Sequence, residues 1–305
     1  MPVLKGPSKA EEVGALSGGR APSAPAAGKP AGVSGWLPVC ANPGCASGWL
    51  RLWRARQTPV FEGGWLCGPQ CTVARVRAAV LRELKGRDET GGTHRHRVPL
   101  GLLLLSQGAI AREQLRAALA RQKLSGGRIG MWLAREQGVE ERTVTRALGA
   151  QWGCPVLSLE GHSAEHAAAL APRLLVDAFG FLPLRQAGAA LLYVGFEDRL
   201  DRCVSLAIER MNRLRVESGI VPARDFDTAH RRLLGATFPR ARLVEAAGVD
   251  ALAGALSRMI EAAQPVESRM VRMHEYFWLR LWSRRSAGHG SAVEDVLCSL
   301  ADSRA

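Results

Sequence analysis

Four cysteines near the start of this chain have spacings that suit metal chemistry. Four residues lie between Cys40 and Cys45; after 21 more residues come Cys67 and Cys71, with three between them. Two such pairs fit tetrahedral zinc, because each short loop turns two sulfurs toward one ion. The second pair leads into a helix-like stretch, Thr72 to Lys85, whose positive N-terminus favours thiolates. Trp49, Trp53, Phe61 and Trp65 lie between the pairs and could form the apolar cover of a hairpin. A segment of about fifty residues builds little core unaided, so a structural metal would supply folding energy. A redox pair or unrelated buried thiols are the competing readings. His94 and His96 could replace one ligand, or belong to a solvated basic linker. Cys154, Cys203 and Cys298 are isolated and read as core residues.

A second constellation is a duplicated pattern offset by 29 residues. The first copy runs Pro99-Leu100-Gly101, then Leu104-Leu105, Gly108, Ile110, Leu115, Leu119 and Gln122. The second runs Arg128-Ile129-Gly130, then Leu133, Val139, Val144, Leu148 and Gln151. Five residues, Lys123 to Gly127, separate the copies. A duplicated unit buries one face against its neighbour and creates two similar half-sites, which suits a ligand that is itself two-fold symmetric. Gly101 and Gly130, near a first helical turn, could admit an anion to backbone N–H groups. Arg128 could pair with an anion in two-pronged fashion, and Gln122 and Gln151 offer donor and acceptor together. A plain helical packing repeat would need the same leucines and glycines.

These groups need elements to hold them. Helical spacing predicts helices over 100–107 and 112–122, with Gly108 as the left-handed exit between them, and again over 129–137 and 141–152 around Gly138. From Pro155 the rhythm changes. Residues 155–159, 179–184, 191–196 and 216–222 read as strands, and 172–178, 200–213 and 224–234 as helices. Residues 240–285 read as two helices broken at Gln264-Pro265. The second of these carries Met270, Met273, Tyr276, Phe277, Trp278, Leu281 and Trp282 as an aromatic face for the membrane surface, a partner or the α+β half. The expected class is α+β: a disordered tail (1–35), a zinc-knuckle-like module (36–86), a linker (87–98), a helical repeat subdomain (99–152), an α+β subdomain (153–239) and C-terminal helices (240–305).

The double motif resembles the MshEN-type domain, the N-terminal regulatory domain of type II secretion and type IV pilus assembly ATPases. That family has a 24-residue pattern of the form Arg-Leu-Gly, two aliphatics, Gly, aliphatic, Leu, Leu and Gln, present twice with a five-residue gap. Leu170-Ala171-Pro172, Phe181-Leu182-Pro183-Leu184 and Leu191-Leu192-Tyr193-Val194 are also family-like. The resemblance spans roughly residues 99–236 and implies cyclic di-GMP as ligand, with Leu104, Leu105 and Leu133 to cover its base faces and Arg128 to pair with guanine or phosphate. By it the ligand-binding residues are Arg97, Leu100, Gly101, Leu104, Leu105, Gly108, Gln122, Arg128, Ile129, Gly130, Leu133, Gly138 and Gln151. Pro99 stands where the family has Arg, with Arg97 two residues earlier. In the second copy Gln137 takes the glycine position and Gly138 follows, which lengthens the first helix of the pair by one residue. Ala134 is smaller than the usual aliphatic. The cysteine segment resembles a treble-clef or ribbon-type zinc knuckle, with Cys40, Cys45, Cys67 and Cys71 as ligands.

The net charge of +13 is uneven: residues 91–152 hold +6, residues 36–90 hold +4 and residues 153–239 balance. Such a field favours anionic partners. Arg51, Arg54 and Arg56 among the tryptophans, and Arg75, Arg77, Arg82 and Lys85 along the following helix, make nucleic acid an alternative ligand. No GxxxxGK[ST], GxSxG or HExxH pattern occurs, so a non-enzymatic module without the motor is expected. No signal-peptide core or run of eighteen apolar residues is present, and a cytoplasmic setting with no spanning segment is expected. The expected partners are cyclic di-GMP and a component of secretion or pilus machinery. A ligand-free docking scaffold is the alternative.

Overall fold

A computed structural model describes residues 39–45, 58–89, 97–284 and 291–301. The expectations for the tail, for Trp49, Trp53, Arg51, Arg54 and Arg56, and for His94 and His96 lie outside these residues. In the cysteine segment, β1 (Val60–Phe61) and β2 (Gly64–Trp65) form an antiparallel hairpin, followed by α1 (Pro69–Glu89). Its turn residues Glu62 and Gly63 both have positive φ, the requirement of a tight two-residue hairpin turn. Gly64 is required by packing: a Cβ there would lie 2.3 Å from that of Ala41, on the loop carrying Cys40 and Cys45.

The duplicated segment forms four helices: α2 (Leu100–Ser106), α3 (Arg112–Ser125), α4 (Ile129–Glu136) and α5 (Glu141–Trp152). Their shared core holds Leu100, Leu104, Ile110, Leu115, Ala118, Leu133, Val139, Val144 and Ala147. Gly108 and Gly138 both take left-handed φ at the end of the first helix of each copy. In copy one Ala109 N–H reaches the carbonyl of Leu104; in copy two Val139 N–H reaches that of Leu133. The shifted glycine thus gives α4 one residue more than α2 and leaves the leucine in register.

The next segment holds α6 (Ala164–Leu170), α7 (Arg173–Phe179), β3 (Leu182–Ala187), β4 (Leu191–Phe196), α8 (Arg202–Asn212), β5 (Arg215–Ile220) and α9 (Ala223–Leu234). The sheet order is β3-β4-β5, with β3 and β4 antiparallel and β4 and β5 parallel across α8. The strand expected at 155–159 is a single bridge, Val156 to Ile220, because the chain turns away at Glu160 and Gly161. The helix α6 is additional. Its signal is Ser163, whose hydroxyl caps the His166 N–H, before an alanine-rich run.

The C-terminal helices expected over 240–305 are corrected. Among the described residues of this segment only α10 (Val249–Ala263) is a helix of any length; β6 (Arg240–Ala246), β7 (Glu267–Met273), β8 (Tyr276–Arg284) and β9 (Ser291–Leu300) form a sheet of order β6-β9-β8-β7. The reason is that residues four apart share a face in a strand as well as in a helix. Here Trp278 and Trp282 face one core with Val271, Met273 and Leu297, while Phe277, Leu279 and Leu281 face another with Met270, Val296 and Cys298. A sheet buried on both sides loses the alternation that marks a strand. The aromatic residues are buried between layers, so no amphipathic membrane-surface helix exists there. Within this sheet Arg280 and Asp295 are buried cross-strand partners, bonded at 2.7 and 2.8 Å. Arg280 also reaches the Ala169 carbonyl of α6 at 2.8 Å, and Trp278 donates to Asp295 at 2.7 Å.

The cysteine segment shares its core with this sheet and α10. Val60 N–H donates to Pro265, Glu62 N–H donates to Ser268, and Ser268 hydroxyl donates to Val60 carbonyl, so the hairpin lies along the outer edge of β7.

Candidate functional site

The tandem unit closes on itself in a reciprocal way. Gln122, the last motif residue of copy one, donates to the carbonyl of Gly127, just before the first motif residue of copy two. Gln151, the last of copy two, donates to the carbonyl of Val98, just before the first of copy one. The distances are 2.9 and 2.7 Å. Each glutamine therefore fixes the chain entering the other copy's first helix. An arginine stands beside each closure. The Arg97 guanidinium lies 3.7 Å from the centre of the Trp152 ring, next to Gln151. Arg128 follows Gly127 directly. Gln122 and Gln151 are half-buried, Arg97 and Arg128 exposed.

The glycines and two of the leucines do something other than expected. A Cβ on Gly101 would lie 2.4 Å from Cδ1 of Leu115, and one on Gly130 would lie 2.8 Å from Cγ1 of Val144. These glycines let the two helices of each copy pack closely; the missing side chain opens no path for an anion. Leu104 and Leu133 are 0% exposed in the core and cannot cover a base. Leu100 is buried too. Leu105 and Ile129 are half-buried at the margin of that core, and Gly108 and Gly138 lie at exposed turns.

The second copy also has partners that its motif does not announce. Arg128 forms ion pairs with Glu197 and, at 3.2 Å, with Asp198, both in the loop after β4. These carboxylates hold its guanidinium charged, the Glu197 hydrogen bond foremost, against the opposing effect of burial. Glu141 of α5 accepts from Arg224 N–H at 2.8 Å, and Gly149 packs on the Cys154 carbonyl. One face of copy two, Leu148 included, is thus docked on the α+β segment, while Leu119, its counterpart in copy one, is 48% exposed. A basic residue beginning a helix after a glycine pair was legible; its acidic partners, seventy residues on, carried no local signal.

The four cysteines do come together: their sulfurs all lie within 4.8 Å of one another. Cys45 and Cys67 sulfurs are 3.5 Å apart, and Cys67 and Cys71 are 3.6 Å apart. Four sulfurs about 2.3 Å from one tetrahedral ion would be about 3.8 Å apart. The order is loop, hairpin, then helix, with Cys71 in the first turn of α1. Asn42 donates to the Cys71 sulfur at 3.3 Å, the kind of outer hydrogen bond that orients a thiolate ligand. Burial pushes the Cys71 thiol up to about 12, and the neighbouring thiols add to this; Cys40 is pushed up by burial as well. A divalent cation in bonding reach reverses such a shift. The donor set and spacing fit zinc. Of the basic residues on α1, Arg77 pairs with Asp250, and Arg82 with Glu62 and Glu83.

No protein-family model matches the chain. Over 94 residues it is 32% identical to the type IV pilus assembly ATPase PilB of Myxococcus xanthus; this is 30% of the chain and spans only 17% of that protein. Among solved structures it is similar to MshE determined with cdg (cyclic di-GMP), at 25% identity and a TM-score of 0.37, covering 45% of this chain and 99% of that one. It is also similar to the N-terminal domain of XpsE, at 18% identity and a TM-score of 0.33, covering 44% and 92% respectively. The chain thus contains a segment similar to part of a type IV pilus assembly ATPase. No described helix is long and apolar enough to cross a membrane.

Proposed function

We propose that the tandem unit is a non-catalytic regulatory module that binds cyclic di-GMP and passes the signal to secretion or pilus machinery in the cytoplasm. Arg97 and Arg128 are the cationic contacts, Gln122 and Gln151 the paired polar groups, and Leu105 and Ile129 the apolar margin; Leu100, Gly101, Leu104, Gly130 and Leu133 build the scaffold behind them. Gly108 and Gly138 set the exposed turns. The observation that carries this reading is the reciprocal glutamine closure, which gives a two-fold ligand two similar ends, each with an arginine beside it. The similarity to a pilus assembly ATPase supports the setting. Calorimetric titration of the purified chain with cyclic di-GMP tests it. Binding that Arg128→Ala reduces about tenfold or more supports the reading; no heat at high micromolar ligand in low salt ends it.

A zinc ion held by Cys40, Cys45, Cys67 and Cys71 completes the proposal, as a structural ion that stabilises the hairpin and the start of α1. A second reading, a ligand-free docking scaffold, is favoured by the carboxylates already occupying Arg128. It requires that a partner from the machinery co-purify equally well with and without the messenger.

A further inference from the structure

We propose that a cavity between the β1–β2 turn, the end of α8 and β7 is a binding site for a phosphoryl group. The cavity is about 160 Å³ and is lined by Glu62, Arg210, Arg213, Arg269, Met270 and Val271. It is far larger than a single water requires, which is about 10–15 Å³. Its residues and its location are separate from those of the tandem motif, and it does not depend on that reading.

Two of the charges on the wall are already matched. Arg210 is bonded through both terminal nitrogens to Glu83, at 2.9 and 2.5 Å. Glu62 takes two bonds from Arg82, at 2.9 and 2.5 Å. That leaves Arg213 and Arg269, which share the single carboxylate of Glu267 in loose ion pairs. Its Oε1 is 3.6 Å from Nε of Arg269 and 4.0 Å from Nη2 of Arg213. Two guanidinium groups therefore share one carboxylate at ion-pair distance, leaving the cavity with a net positive charge.

Arg269 is the second, independent observation. It is only 5% exposed, and its Nη1 donates to the Met211 carbonyl at 2.7 Å. Its Nη2 has no hydrogen-bond partner in the protein, and its Nε and Glu267 Oε1 face each other at 3.6 Å, too far for a hydrogen bond. Buried polar atoms left without partners are rare and costly, and a cluster of them beside a cavity points to a ligand that supplies the missing bonds. The inventory specifies its chemistry. It must carry negative charge and accept from the guanidinium N–H groups of Arg269 and Arg213, and a donor on it could also serve the nearby Glu267. A singly protonated phosphoryl group does both: its anionic oxygens accept from arginine and its P–OH donates to Glu267. Chloride cannot donate, and a lone bridging water brings no charge. Burial, together with Arg213, holds Arg269 below the usual arginine range, so an anion here also relieves repulsion between the two cations.

The full chain is titrated with inorganic phosphate, with a nucleoside monophosphate, and with chloride at equal ionic strength, following thermal stability and calorimetric heat. Phosphate is expected to stabilise the protein beyond chloride and to saturate. A tighter response to the monoester identifies an ester as the natural source, and an equal one the free anion. Arg213 sits at φ +54°, a conformation Asn tolerates, so Arg213→Asn should fold and shift half-saturation at least about tenfold upward. Arg269→Met, which keeps an apolar stem beside Trp282, should abolish the response. Arg128→Ala should leave it intact even if it removes cyclic di-GMP binding. Equal stabilisation by phosphate and chloride, or an unchanged response in Arg213→Asn, overturns the proposal.

Discussion

Gln151 donates its side-chain amide to the backbone carbonyl of Val98, 2.7 Å away and 53 residues earlier in the chain. The bond ties the last turn of α5 to the strand of chain that enters α2. Gln151→Ala should therefore loosen both ends of the tandem unit. A loss of about 1 kcal/mol is expected in denaturant unfolding. The local bond from Gln122 to Gly127, five residues on, should matter less to Gln122→Ala. Equal effects of the two substitutions would show that the long-range closure carries no special weight.

Arg128 can serve a ligand only by leaving Glu197 and Asp198. Replacing both with their amides, as Glu197→Gln with Asp198→Asn, should raise cyclic di-GMP affinity about two- to fivefold, since half-exposed ion pairs are worth up to about 1 kcal/mol. The same calorimetry that tests binding reads this. A fall in affinity would mean that the carboxylates orient the guanidinium for the ligand and do not compete with it.

The cysteine cluster predicts one zinc per chain, measured by elemental analysis of protein purified without added metal. A strong chelator should lower the melting temperature by more than about 5 °C, because structural zinc contributes several kcal/mol to folding. Cys45→Ser should do the same. A metal-free chain as stable as one reconstituted with zinc would exclude the structural role.

His162 makes stability depend on pH. Burial holds its imidazole below the usual range, despite the Leu184 carbonyl at 3.3 Å from Nδ1, and Arg232 pushes the same way. The unfolded chain thus takes up the proton first as pH falls. Stability from this group is complete above the unfolded value of about 6.5 and is lost as pH drops from there toward the lower folded value. His162→Gln should flatten the unfolding free energy over that window. An unchanged slope would assign the dependence elsewhere.

The tandem helices were legible because three- and four-residue spacing with glycine exits has one simple reading. The α+β class and the meeting of the cysteines were legible for similar reasons. The third sheet was not. On β8, Trp278, Arg280 and Trp282 face one layer, and a charged residue at the centre of a buried face disguises a strand until Asp295 is found opposite it. Motif residues were also misread individually. Leu104 and Leu133 have the right type to cover a base, but only the packing of α2 on α5 and α3 on α4 decides that they point inward. Acidic neighbours such as Glu197 are set by tertiary docking and leave no trace near Arg128.

The hairpin carrying the cysteines leans on β7, and α1 packs on α10, so the earliest described part of the chain is completed by the latest. During synthesis this piece must wait for nearly two hundred further residues before its apolar side is covered. A ribosome releasing the polypeptide exposes that side throughout the interval. Metal capture by the nascent thiols would give the waiting segment its own means of staying ordered until its distant partner emerges.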